Sequence, residues 1–204
     1  KNYRGMDFSY DILEAIDEQL VQYGKIIHAK RQAFIGQLIP IFQEYYSRVS
    51  GGAEVVSLSY RSHLNSNDLQ ELLKANIEKD RALQYTSSGV HRDDIVLNID
   101  GYPIRREGSQ GQQKTYLIAL KLAQFDFLSR VSEIKPILLL DDIFDKLDFK
   151  RVEQLVRLVA LDGFGQIFIT DTNKNRIDEI LARINSGYRL FHVDLAEVNL
   201  LLER

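Results

Sequence analysis

Apolar residues recur every three or four positions through residues 8–49, with charged residues between them. This spacing predicts one or two long amphipathic helices. We expect a break near Gly24, Gly36 or Pro40, because glycine weakens and proline interrupts the hydrogen bonding of a helix interior. The first part of the chain is therefore predicted to be helical.

The next region mixes strand and helix signals. Residues 54–60 are rich in β-branched side chains and partly alternate, which predicts a strand. A helix is predicted over 66–83, where polar residues cap its start, and residues 95–104 alternate around Asp100-Gly101, a hairpin signal. We interpret residues 1–88 as a helical insertion domain that contains one short strand.

From residue 107 onward, helical and strand patterns alternate strictly, which favours an α/β fold with a mostly parallel sheet over residues 89–204. The run from Ile137 to Leu140 is apolar on both faces, as expected of a strand covered by helices on both sides. The predicted helices are 109–131, 150–161 and 173–184, and the predicted strands between and after them are 137–140, 166–170 and 188–193.

Composition and charge restrict the cellular location and the partners that we expect for the protein. The 204 residues carry a formal net charge of −3, so any contact with nucleic acid must come from a local basic patch or from sequence outside the chain. The chain has no cysteine, no apolar run of membrane-helix length and no signal-peptide pattern. We expect a cytoplasmic protein without membrane contact and, because Lys1 replaces an initiating Met, a longer parent protein.

The segment Ser109-Gln110-Gly111-Gln112 opens the helix predicted over 109–131. Ser109 and Gln112 have the spacing of a capping box, in which two side chains satisfy free amides of the first helical turn. Gly111 allows another group to approach the backbone, and such a helix start is a good anion site. A well-capped helix without a ligand explains this segment equally well.

Two adjacent carboxylates, Asp141 and Asp142, follow the apolar strand 137–140. Ligands bind at the carboxyl edge of parallel sheets, so Asp141 is a candidate ligand of Mg²⁺ through water. Asp142 could orient or deprotonate an attacking water. An acid at the end of a strand is also common in α/β proteins that bind no nucleotide, so the pair alone leaves both interpretations open.

Two further polar segments follow the capped helix and the acid pair along the chain. An x-x-L-D loop containing Asp145, Leu147 and Asp148 follows the acid pair, and Thr170 and Thr172 lie at the end of the next predicted strand. The order of capped helix, strand with acid pair, x-x-L-D loop and polar strand end resembles the C-terminal lobe of ABC-type ATPases. In that architecture the signature motif of one protomer covers the γ-phosphate bound by the other.

Within that superfamily the chain resembles the RecF family. Residues 89–94 read G-V-H-R-D-D against the family's G-P-H-R-D-D, and residues 109–113 match its S-Q-G-Q-Q. Val90 therefore departs from the family pattern, as does Asp145, which stands where serine is common. We interpret the cluster at 91–94 as a salt-bridged turn that supports the fold.

The resemblance implies a DNA-binding ATPase that acts in recombinational repair of gapped DNA and helps to load recombinase. ATP and Mg²⁺ are the implied cofactors, and the implied partners are DNA at gaps or junctions, RecR- and RecO-like proteins, and a second copy in an ATP-dependent homodimer. The implied site residues are Asp141 for the metal, Asp142 for catalysis, Ser109, Gln110, Gly111 and Gln112 for nucleotide contacts in trans, Asp145, Leu147 and Asp148 in the D-loop, and Thr170 and Thr172 in the switch region.

Two other classes of protein remain open. A receiver-like signalling module also binds Mg²⁺ at an acid pair and uses a threonine, here Thr170, but its acids come near the start of the domain and a later strand ends in lysine. A scaffold related to SMC or Rad50 proteins could keep the fold without the chemistry. Long heptad repeats, which would favour that group, do not flank the predicted helices.

The 204 residues contain no G-x-x-x-x-G-K-[ST] segment, the loop whose amides and lysine grip nucleotide phosphates. We therefore predict that the purified chain alone neither binds ATP tightly nor hydrolyses it. Phosphate release and nucleotide binding by calorimetry test this expectation. Robust turnover that survives removal of contaminating ATPases would contradict it.

Overall fold

The computed structural model describes residues 10–132, 134–142, 145–161, 163–172, 179–181 and 187–203. The chain divides into two compact units. The first unit consists of Lys1–Pro40 and Ser57–Asn98, and the second of Ile41–Val56 and Ile99–Arg204. These units do not test the predicted domain boundary between residues 88 and 89, because that boundary separates parts that are expected to fold independently. The boundary stays a prediction.

The first element is one uninterrupted helix, α1, of 41 residues from Tyr10 to Ser50. The predicted break near Gly24, Gly36 or Pro40 is wrong, since all three residues lie inside α1. Proline in a helix interior costs about 3 kcal/mol. Leu38 and Phe42 are buried on either side of Pro40, so packing offsets this cost.

The chain continues through β1 (Val56–Arg61), α2 (Leu69–Ala75) and α3 (Ile77–Leu83). The single helix predicted over 66–83 is thus two short helices that meet at Asn76. The Asp68 carboxylate accepts hydrogen bonds from two backbone amides of the first turn of α2, so the predicted polar cap is present.

The predicted hairpin is confirmed. Strands β2 (Asp94–Ile99) and β3 (Tyr102–Pro103) flank Asp100 and Gly101, whose φ angles are 49° and 84°. Two consecutive positive φ angles are the mark of a type I′ turn, which matches the twist of paired strands. The strand order in this sheet is β1-β2-β3, and the short helix α4 (Ile104–Glu107) follows.

The second unit contains the predicted α/β succession: α5 (Gln110–Ser132), β4 (Leu138–Leu140), α6 (Phe149–Leu161) and β5 (Ile167–Ile169). Strands β4 and β5 pair in parallel, with Leu139 opposite Phe168. The fold is therefore mixed α/β with a parallel pair at the place predicted from the sequence. None of the helices within the described residues is long and apolar enough to cross a bilayer.

An aromatic cluster forms the core of the second unit. Phe42 and Tyr46, both completely buried, belong to the end of α1, and Tyr116 belongs to α5. The ring centroid of Tyr116 lies 4.6 Å from that of Phe42 and 5.8 Å from that of Tyr46. These contacts anchor the N-terminal half of α5 against the final turns of α1.

The C-terminal part departs from the predicted pattern. Leu139 and Phe168 are exposed, so the described residues cover one face of the β4–β5 pair rather than both. Strand β6 (Arg189–Asp194) pairs antiparallel with an unpredicted strand β7 (Glu197–Glu203) in a separate two-stranded sheet. The helix predicted over 173–184 falls mostly outside the described residues.

In the first unit, Asp93 joins three elements. Its carboxylate accepts hydrogen bonds from Arg31 of α1, at 2.9 Å, and from the Tyr60 hydroxyl of β1. Arg31 also donates to the backbone carbonyl oxygen of Val90 at 2.6 Å. The Asp93 side chain is 4% exposed, whereas neighbouring Asp94 pairs with Arg61 at the surface. The predicted salt bridge at this turn is therefore made by Asp93 with a distant helix.

Burial raises the pKa of the Asp93 carboxyl, but hydrogen bonds from Ser62, Tyr60 and Arg31 outweigh burial and hold the pKa below its ordinary value. A carboxyl whose pKa is depressed by folding stabilises the protein above its unfolded pKa, about 3.9 for aspartate. This stabilisation is lost as the pH falls through the folded-state pKa.

We predict that Asp93→Asn lowers the free energy of unfolding by about 2 kcal/mol at neutral pH, because a buried charge-assisted hydrogen-bond network is broken. The matched control, Asp94→Asn, should change it by less than about 0.5 kcal/mol, since exposed ion pairs contribute little. Urea unfolding measures both variants. A difference between wild type and Asp93→Asn that does not shrink in acid below about pH 4 would count against this role of the carboxylate.

Candidate functional site

The capping box at the start of α5 is present. The Ser109 amide donates to the side-chain oxygen of Gln112 at 2.7 Å, and the Gln112 amide donates to the Ser109 hydroxyl at 3.2 Å. Ser109 and Gln110 are exposed, and Gly111 and Gln112 are half-buried. This turn, residues 109–112, is called the signature turn below. It presents the positive end of a 23-residue helix to solvent.

The structure brings together the polar residues that follow β4 and β5. The Thr170 amide donates to the Leu140 carbonyl oxygen at 3.0 Å, which extends the strand pairing to this point. The Thr170 hydroxyl donates to the Asp141 carboxylate and accepts from the Asp142 amide at 3.1 Å. One hydroxyl therefore holds the Asp141 carboxylate and the Asp142 backbone. We call Asp141, Asp142 and Thr170 the acid edge.

Lys114, in the second turn of α5, connects this helix to the acid edge. Its ammonium donates to the Asp142 backbone carbonyl oxygen at 3.0 Å. Asp142 has a φ of 44°, a left-handed conformation that aspartate tolerates better than most side chains. This backbone conformation is compatible with the Asp142 amide meeting Thr170 while its carbonyl meets Lys114.

The x-x-L-D loop lies beside the signature turn. A Cβ atom built on Gly111 would lie 3.3 Å from the Lys146 carbonyl oxygen, tighter than most Cβ contacts, so glycine permits this close approach. Asp148 accepts from the Arg151 amide at 2.9 Å and thereby caps α6. Leu147 is buried and Asp145 is exposed.

Thr172 is exposed, and the hydrogen bonds that define the acid edge within the described residues do not include it. Likewise, no group of three or more histidine or acidic side chains in this part of the chain could hold a metal ion unaided. The exposed carboxylate of Asp141 suits a hard cation whose remaining ligands are water and phosphate oxygens.

Sequence reasoning missed three charged residues of the site. Lys114 binds the acid edge, whereas Glu54 and Arg151 form a partly buried ion pair next to the signature turn. Glu54 precedes β1 and Arg151 lies in α6. No local pattern marks either residue, because each acquires its partners only through the tertiary fold.

Comparison with curated proteins places these features in a family context. The chain is 52% identical over 183 residues to the DNA replication and repair protein RecF of Bacteroides thetaiotaomicron, covering 90% of the chain and 50% of that relative. It is 53% identical over 195 residues to RecF of Parabacteroides distasonis, covering 96% and 53%. The chain thus spans about half the length of the curated relatives it matches. No family model matches the chain.

Several solved structures have a fold similar to that of the chain. The recombination mediator protein RecF-ATP of the RecFOR pathway superposes with a TM-score of 0.74 and 27% identity, covering 95% of this chain and 52% of that one. RecF-ATPrS superposes with a TM-score of 0.73 at the same identity, covering 96% and 52%. An SMC ATPase structure, 15% identical with a TM-score of 0.50 over 85% of this chain and 87% of its own, shares the fold.

Proposed function

Because the chain belongs to the RecF family, we propose that it supplies the signature turn of α5, the strand β4 whose acid pair forms the Walker B motif, and the D-loop of a DNA-repair ATPase. The observation that carries this proposal is the hydrogen bond from Lys114 of α5 to the Asp142 carbonyl oxygen, which joins the helix of the signature turn to the acid edge. ATP turnover is assigned to the longer protein, since the chain spans about half of its relatives.

The signature turn is proposed to contact ATP that is held by a second protomer. Ser109 and Gln110 are exposed at the positive end of α5, where phosphate oxygens are stabilised by the helix dipole and by backbone amides. Gly111 and Gln112 complete the contact surface. Since the D-loop of Asp145, Leu147 and Asp148 lies beside this turn, its exposed residues Asp145 and Asp148 are proposed to face the same partner, whereas Leu147 is buried.

At the acid edge, Asp141 is proposed to hold Mg²⁺ through water, and Asp142 to orient the attacking water. A bound Mg²⁺ neutralises charge on the phosphate oxygens. Thr170 positions the Asp141 carboxylate and the Asp142 backbone through its hydroxyl, and with Thr172 it is assigned to the region that senses the γ-phosphate. The solvent-facing placement of Asp141 and Asp142 supports these roles.

The biological role proposed for the full-length protein is recombinational repair of gapped DNA, with DNA, RecR- and RecO-like proteins as partners and help in loading recombinase. The names of the relatives, which refer to DNA replication and repair and to the RecFOR pathway, support this role. A receiver-like module is disfavoured because the acids at 141 and 142 follow α4 and α5 within the predicted lobe of residues 89–204 rather than opening it.

We predict that Ser109→Arg in the full-length protein abolishes ATP-dependent dimerisation, because a bulky cation then occupies the surface that meets the partner's nucleotide. Ser132→Arg, the same substitution at the other exposed end of α5, is the matched control and should dimerise normally. Sedimentation with and without ATP measures the outcome. Unchanged dimerisation and hydrolysis in Ser109→Arg would refute the contact in trans.

We predict that Thr170→Val slows ATP hydrolysis by the full-length protein at least about tenfold, since it removes a hydrogen bond to a charged group at the acid edge. Thr170→Ser keeps the hydroxyl and should stay within about threefold of wild type. Steady-state phosphate release distinguishes the two variants. Equal rates for valine and serine would show that the hydroxyl does not orient the acids during turnover.

A further inference from the structure

Glu54 lies at the centre of a partly buried polar cluster in the second unit. Its carboxylate accepts from the Tyr46 hydroxyl at 2.6 Å, the Gln112 side-chain amide at 3.0 Å and the Arg151 guanidinium at 2.9 Å. The Glu54 side chain is 12% exposed and that of Arg151 is 17% exposed. Both carboxylate oxygens are thus engaged by donors that come from three different helices.

Two of these donors continue to the candidate site. The same Gln112 side chain that donates to Glu54 accepts from the Ser109 amide with its oxygen. Arg151 meets Asp148 through its own amide, at 2.9 Å, and through a guanidinium contact of 3.5 Å. A continuous path therefore runs from the signature turn through Glu54 to the D-loop.

Arg151, near the D-loop end of this path, also lies close to the signature turn at the other end. A guanidinium nitrogen of Arg151 lies 3.3 Å from the position a Cβ atom on Gly111 would occupy. Arg151 therefore packs against the backbone of the signature turn while its charge is balanced by Glu54. A displacement of Glu54 would release Gln112 and Arg151 together.

The charge state of Glu54 is suited to this arrangement. Burial raises the pKa of its carboxyl, but the hydrogen bonds from Tyr46 and Gln112 and the charge of Arg151 outweigh burial, so the pKa lies below its ordinary value. The carboxylate is therefore ionised at neutral pH. A buried ion pair is a weak source of stability compared with apolar packing, and its better-supported use is to specify one geometry.

We propose that Glu54 is a positioning residue that couples the signature turn to the D-loop within one protomer, so that both present a single preformed surface to nucleotide held by another. This inference rests on the proposed function. It assigns Glu54 no contact with ATP: the carboxylate acts through Gln112 on one side and through Arg151 on the other.

Five variants of the full-length protein test the proposal. Glu54→Ala should raise the ATP concentration for half-maximal dimerisation about tenfold, since hydrogen bonds to a charged group are lost. Glu54→Gln keeps the shape and part of the bonding, and should give a smaller rise. Tyr46→Phe removes only the hydrogen bond on the far side of Glu54, so it should destabilise folding yet dimerise within about twofold of wild type.

The single variant Gln112→Ala and its combination with Glu54→Gln complete a double-mutant cycle. If Glu54 acts on the signature turn through the Gln112 side chain, the combined rise is smaller than the product of the two single rises. Thermal unfolding monitors folding in parallel, and Glu54→Gln keeps the test open if Glu54→Ala does not fold.

The outcomes separate this inference from the proposed function. If Ser109→Arg dimerises like wild type, the contact in trans fails and Glu54 has nothing to position. If Ser109→Arg abolishes dimerisation while folded Glu54 variants respond to ATP like wild type, or like Tyr46→Phe at equal loss of stability, the coupling is overturned. Multiplicative effects in the double-mutant cycle overturn it as well.

Discussion

The burial of Phe42 and Tyr46 against Tyr116 is the interaction on which the candidate site depends. It fixes the first turns of α5 against the end of α1, and those turns carry both the signature turn and Lys114. Tyr46 contributes twice, since its ring belongs to the apolar core while its hydroxyl donates to Glu54. Apolar packing and the polar path to the D-loop are therefore joined at one side chain.

Local sequence signals predicted the elements that surround the site. Asp100-Gly101 specified the hairpin, and alternating helical and strand patterns located α5, β4, α6 and β5, because in these segments local preference and tertiary environment agree. Strand β7 was missed because its turn is built by Leu195 and Ala196, which adopt φ angles of 46° and 67° without the glycine or asparagine that usually marks such a turn.

The acid edge was predictable and the contacts around it were not. Asp141, Asp142 and Thr170 meet because the carboxyl ends of adjacent parallel strands lie together, a relation that can be inferred from the order of strands. Glu54 and Arg151 are separated by 97 positions and interact only after the segment before β1 has met α6 in the second unit. The break predicted near Pro40 failed for a related reason, since burial of Leu38 and Phe42 overrides the local preference.

The left-handed backbone of Asp142, with φ of 44°, affects how alleles at this codon can be interpreted. Asparagine adopts this conformation readily, so an Asn allele removes the charge and leaves the main chain in place. A β-branched residue such as valine resists it, and would also displace the carbonyl oxygen that Lys114 binds. Loss of function in a valine allele therefore reports on main-chain shape as much as on the carboxylate, and the asparagine allele isolates the contribution of the carboxylate.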